Sequence, residues 1–165
     1  MYRTKFNSDG SVDRHKARLV AQGFTQEYGV DYKETFAPVA KMTTLRVLLS
    51  VAINNGWSLS QMDVKNAFLH GDIEEEVFMK LPPGHSKYGD PNLVCKLHKS
   101  IYGLKQSPRA WHAKLSSALE GLGFSKSKAD SSLYVQLGET DWLTVRIYVN
   151  DLIVIGRNIN STNKL

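Results

Sequence analysis

The sequence predicts an α+β protein built on an antiparallel sheet. Two observations carry this: strand-like and helix-like segments are mixed along the chain, and at least two strand pairs are joined by tight turns. The first hairpin runs from Tyr2–Phe6 through the turn residues Asn7-Ser8-Asp9-Gly10 into a longer return arm, Val12–Gln22. Ala37-Pro38-Val39 then interrupts regular structure. From Thr44 the apolar positions Leu45, Leu48, Leu49 and Ala52 follow the i, i+3, i+4, i+7 spacing of a helix, with Thr43 or Thr44 as its cap and Gly56 as its stop.

A short strand, Trp57–Val64, carries Asp63 near its end. Val77–Met79 and Leu93–Leu97 read as two more strands, on either side of the turn region Pro82-Pro83-Gly84. Ser107-Pro108 opens a second helix, with Ser as the cap and an apolar stripe of Trp111, Leu115, Ala118, Leu119 and Leu122 before Gly123. Trp111 is assigned to the core. Three strands follow, Ser132–Leu137, Trp142–Val149 and Leu152–Ile155, the last two joined by a tight Asn150-Asp151 turn. Arg157–Leu165 reads as a frayed or unfinished end.

The 165 residues fit one domain or two small lobes sharing a core, and 42% apolar content is enough to bury one. There is no internal repeat or low-complexity tract. Cys95 stands alone, which excludes an internal disulfide and a CxxC metal motif. No signal-peptide pattern opens the sequence, and no apolar run approaches the roughly 20 residues that span a bilayer. The expected setting is intracellular, cytoplasmic or nuclear, with an organelle left open, and no membrane. The 21 Lys and Arg against 16 Asp and Glu give a net charge of +5, compatible with a polyphosphate partner. Positive charge gathers in residues 14–18 and 96–109, with Glu74-Glu75-Glu76 between them.

Two places hold chemistry. Asp63 lies at the end of a strand, and Asn150-Asp151 caps a hairpin between two strongly apolar strands. A carboxylate at the end of a half-buried strand is costly to desolvate without a cation. Acidic groups from adjacent strands can clamp Mg²⁺, which takes a few carboxylate oxygens with water and phosphate. On spacing alone, an ordinary polar turn and a strand-edge aspartate account for these residues more simply.

Read in order, Lys16–Phe24, Thr35–Val39, Met62–Gly71, Tyr102–Trp111 and Tyr148–Asp151 resemble the reverse transcriptase of copia-type LTR retrotransposons, over essentially the whole chain. The resemblance implies fingers over 1–40 and 71–106 and an antiparallel palm sheet with packed helices over 41–70 and 107–165. It also implies a two-metal nucleotidyl transfer on an RNA or DNA primer-template with dNTP, the two Mg²⁺ roughly 3.5–4 Å apart. Asp63, with Asp151 and the Asn150 position, would be the catalytic and metal-binding set, joined by the backbone carbonyl of Val64. Phe68 matches the aromatic gate against a ribose 2′-hydroxyl, and equally fits a core position. Lys16 and Arg18 fall in the strand that meets the nucleotide's triphosphate. Tyr102 and Gly103 match the loop beneath the templating pair, where glycine admits close backbone. Lys105 and Arg109 would meet template phosphates.

The chain departs from the family's Tyr-x-Asp-Asp by carrying Asn150 at the first aspartate. An amide keeps the shape but loses the full charge that offsets repulsion between two divalent ions. The expected consequence is weakened metal binding and a loss of activity of at least ~10²-fold. The family's polymerase continues into a thumb and an RNase H domain, so the resemblance also implies a polyprotein fragment with the thumb missing. Two further readings stand beside an impaired polymerase: a non-catalytic nucleic-acid-binding remnant and a scaffold relic with no site.

Overall fold

A computed structural model of the chain describes residues 1–139 and 141–162. Strands β1 (Tyr2–Phe6) and β2 (Val12–Ala17) precede helix α1 (Met42–Asn54), β3 (Ser58–Asp63), β4 (Asp72–Lys80) and β5 (Val94–Lys99). Helix α2 (Ser107–Gly121), β6 (Ser125–Lys126), β7 (Leu133–Leu137), β8 (Trp142–Tyr148), β9 (Asp151–Gly156) and the short α3 (Ile159–Thr162) follow. All strand pairings between these elements are antiparallel, so the α+β class holds. No described helix is long and apolar enough to cross a membrane. The chain divides into two compact units, each entered twice: Met1–Thr35 with Phe68–Trp111, and Phe36–Ala67 with His112 onward.

The first unit holds two ribbons, β1–β2 and β4–β5. Its core is small, with Val77, Ile101 and Leu104 backed by Ala21, Ile73, Met79 and Leu97. The β1–β2 turn is set locally: Gly10 takes φ +85°, and Asp9 Oδ1 accepts from both the backbone and the hydroxyl of Ser11. The return arm ends at Ala17 instead of Gln22. Beyond it the backbone turns toward residues 102–103, where Val20 bridges Tyr102 and Ala21 N–H donates to the Tyr102 carbonyl at 2.7 Å.

The second unit is built on a five-stranded sheet of order β3-β9-β8-β7-β6. Residues 143–147 of β8 and most of β9 are buried whichever face they point to, so these two strands are covered on both sides. On one face lie Tyr134, Val145 and Val154, all fully buried, and Ser116 of α2 bonds the Tyr134 hydroxyl at 2.6 Å. On the other face Arg146, 2% exposed, donates to the Lys41 carbonyl at the start of α1.

Several boundaries differ from the expectation for physical reasons. Helix α1 begins at Met42 with Lys41 as its cap and no side-chain capping bond. Ser107 lies inside the first turn of α2, and its hydroxyl donates to the Ile101 carbonyl at 2.6 Å. Of the expected stripe on α2, Trp111, Leu115 and Leu119 are buried, whereas Ala118 and Leu122 are exposed. Residues 159–162 form a helical turn with Thr162 buried against the Ser58 hydroxyl, not a frayed end, and 163–165 lie outside the described residues.

Candidate metal corner and basic ribbon

Strands β3 and β9 bring the predicted carboxylates together in the second unit. Asp63 ends β3 and pairs directly with Asp151, the first residue of β9, which pairs in turn with Tyr148 of β8. Directly opposed residues share a sheet face, so Asp63, Asp151 and Tyr148 form one row. The hairpin loop is therefore Val149-Asn150, one residue earlier than the expected Asn150-Asp151 turn. Val149 has φ +56° and Asn150 does not share that sign. This is the pattern of a II′-like turn, which suits the twist of a hairpin but strains a β-branched residue. The sheet's pairing at Asp151 is what holds valine there.

The polar contacts at this corner are close. Asn150 Nδ2 donates to Asp63 Oδ1 at 2.5 Å, and Gln61 Nε2 donates to Asp151 Oδ1 at 3.2 Å. Backbone N–H of Val64 donates to the Asn150 carbonyl at 2.9 Å, tying the strand end to the turn. Asp63 is exposed, while Val64, Asn150 and Asp151 are half-buried. Gln61 escaped the sequence reading, although its i−2 spacing from Asp63 on a strand was the available signal. Among the described residues no group of three or more His, Cys, Asp or Glu side chains is placed to hold a metal ion.

One row away, Gln61, Ile153 and Arg146 share the same face and line a cavity of about 240 Å³ with Met42 and Leu45. Arg146 lies 3.7 Å from Asp130, and both are buried. Burial pushes the Asp130 carboxyl up, but bonds from Ser132 and Thr44 and the Arg146 charge outweigh it, leaving the group below its ordinary value.

The remaining predicted residues lie in the first unit. Phe68 meets Tyr102 edge to face, with ring centroids 4.9 Å apart, and the Arg18 guanidinium stands 5.3 Å over the Tyr102 ring. Gly103, at φ +96°, runs so close to the neighbouring backbone that a Cβ there would sit 2.2 Å from the Ala21 carbonyl oxygen. Lys105 donates to the Gln26 carbonyl at 2.9 Å and lies 5.0 Å over the Tyr32 ring. Arg109 is half-buried in the first turn of α2. In the β1–β2 ribbon the pairs Arg3–Lys16 and Lys5–Arg14 put four cations on one face, with Tyr2, Thr4, His15 and Ala17 on the other. Like charges directly opposed destabilise an isolated ribbon.

The site thus lies in an α+β domain whose antiparallel sheet sets Asp63 beside Asp151 at the end of the Tyr148–Asp151 hairpin. The chain belongs to the reverse transcriptase (RNA-dependent DNA polymerase) family, whose model it matches over residues 1–165. It is 46% identical over 158 residues to the retrovirus-related Pol polyprotein from transposon RE1 of Arabidopsis thaliana, covering 96% of this chain and 11% of the relative. It is 40% identical over 166 residues to the corresponding polyprotein from transposon TNT 1-94 of Nicotiana tabacum, covering 100% and 12%. To the Ty1-H Gag-Pol polyprotein of Saccharomyces cerevisiae it is 30% identical over 157 residues, covering 92% and 8%. The chain thus spans about a tenth of the length of these relatives. No solved structure matches it. The resemblance to copia-type reverse transcriptases, drawn from the ordered motifs, holds.

Proposed function

We propose that this chain is the fingers-and-palm part of an RNA-directed DNA polymerase from a copia-type retrotransposon polyprotein, with its chemistry impaired at Asn150. The observation that carries this reading is the direct pairing of Asp63 with Asp151 beside the Val149-Asn150 turn. The second unit is the palm and the first the fingers. Asp63 and Asp151 are the remaining acidic groups of the catalytic corner. With an amide at position 150, the residues present do not fit two Mg²⁺ ions. Phe68, buttressed by Tyr102, faces the sugar of an incoming dNTP, and Lys16 and Arg18 face its phosphates. Lys105 and Arg109 belong to the template path, although the Lys105 ammonium is already engaged by Gln26.

The test is primer extension on an RNA or DNA primer-template with Mg²⁺ or Mn²⁺, comparing the parent with Asn150→Asp. Extension by the variant, at least ~10²-fold above the parent, is the expected result. Robust extension by the parent would overturn the impairment.

A second reading is favoured by the cationic face of the β1–β2 ribbon: the chain is a remnant that binds nucleic acid without chemistry. Under it both proteins bind primer-template, with affinity falling steeply as salt rises, and neither extends.

A further inference from the structure

The corner formed by Asp63, Asn150 and Asp151 shows more than a missing charge. An ionised carboxylate only accepts hydrogen bonds. Asp63 Oδ1 therefore meets Asn150 through the amide N–H, at 2.5 Å. Asp151 Oδ1 has its own amide donor in Gln61, and the Asn150 carbonyl is held by Val64 N–H. Each aspartate thus already has a neutral side-chain donor, Asn150 from the turn for Asp63 and Gln61 from β3 for Asp151. An aspartate at position 150 would set a second acceptor-only group against Asp63 where a donor now sits. Two carboxylates that close repel unless a cation or a proton lies between them.

We infer that Asn150 is an internal substitute for a cation: its amide ties the end of β3 to the β8–β9 turn, so the corner closes without divalent metal and offers none a site. The residue is then a positioning residue of the metal-free fold, not only a lesion in a catalytic motif. Gln61 plays the same part for Asp151, one row deeper. This inference concerns metal binding and stability, and it stands or falls separately from the polymerase reading.

The test uses the full chain and needs no catalysis. Thermal melts of the parent are expected to coincide in EDTA and in millimolar Mg²⁺. Asn150→Asp in EDTA is expected to melt about 2–4 °C lower, the scale that loss of one such contact gives at this chain length. Added Mg²⁺ should restore it. Asn150→Ala, which removes the donor without adding charge, should melt lower in both media and ignore Mg²⁺. If the aspartate variant does not fold, the alanine variant and the parent still decide the matter. As a direct readout, Mn²⁺ should broaden the backbone amide NMR signals of residues 63 and 151 in Asn150→Asp and leave them sharp in the parent. A parent whose melt or spectrum responds to the metal would overturn the inference. So would an Asn150→Asp or Asn150→Ala variant as stable as the parent in EDTA, or an aspartate variant that melts lower but ignores Mg²⁺.

Discussion

Arg146 and Asp130 show how a single buried pair shapes this molecule. Among the described residues the guanidinium, in the middle of β8, has no bonded partner at Nε or Nη1, so its charge rests on Asp130 at 3.7 Å and on the Lys41 carbonyl. Removing one partner from such a pair leaves an uncompensated buried charge and costs about 3–5 kcal/mol. Asp130→Asn is expected to destabilise the fold by that amount near neutral pH. The sign of the pH effect follows from the direction of the shift. Asp130 titrates below its ordinary 3.8 in the folded chain, so its contribution is present above that value and fades as pH falls through the lower, folded value. Thermal melts between neutral and strongly acid pH should show the parent losing this stability on the acid side. The Asn variant, having lost it already, should show a shallower acid limb. An unchanged limb would mean that the pair contributes nothing.

The approach of residues 20–23 to 102–103 belongs to the scale of elements. A Cβ on Gly103 would meet the Ala21 carbonyl oxygen at 2.2 Å, and one on Gly23 would meet the Gly103 carbonyl oxygen at 1.8 Å. Both collisions are with backbone, which cannot rotate away. Gly84 also has a positive φ, +92°, but nothing lies within 4 Å of its added Cβ. Gly84→Ala should therefore cost only the conformational strain, about 1 kcal/mol. Gly103→Ala should cost several times more and also disturb the Tyr102–Phe68 ring contact. Chemical denaturation of the two variants compares the costs, and Tyr102 ring NMR signals report the contact. Equal costs would show that the close approach is not rigid.

For the whole molecule, the net charge of +5 is less informative than where it lies. Arg3, Lys5, Arg14 and Lys16 share one face of an exposed ribbon, and beyond the Arg14–Asp13 pair at 3.6 Å an anionic partner would relieve their mutual repulsion. If that partner is single-stranded nucleic acid, the slope of log affinity against log salt should fall by about 0.7 for each phosphate contact removed. Binding isotherms at several salt concentrations for Lys5→Gln and Lys16→Gln measure this. A slope unchanged by both variants would place the contact elsewhere. The scaffold reading expects no salt-dependent binding at all.

Much of this was legible from residues alone because it is local. Turn residues at Asn7–Gly10, the helical spacing of Leu45 to Ala52 and the apolar runs flanking Asn150 each declare their element within a few positions. The ordered motifs carried the family, and the departure at Asn150 needed no structure to see. What the tertiary structure decided was register and partnership, which depend on residues far apart in sequence. A shift of one residue in a strand changes which side chains share a face. Only the pairing of β9 with β3 sets Asp63 beside Asp151 and brings Gln61 onto the second carboxylate, and only its pairing with β8 moves the turn to Val149-Asn150. Ser107, read as a cap, is drawn instead to the Ile101 carbonyl, because an acceptor outside the helix competes with the local backbone for the same hydroxyl. Asn150 was visible in the sequence as a lost charge, and the fold showed it to be a donor with Asp63 as its acceptor.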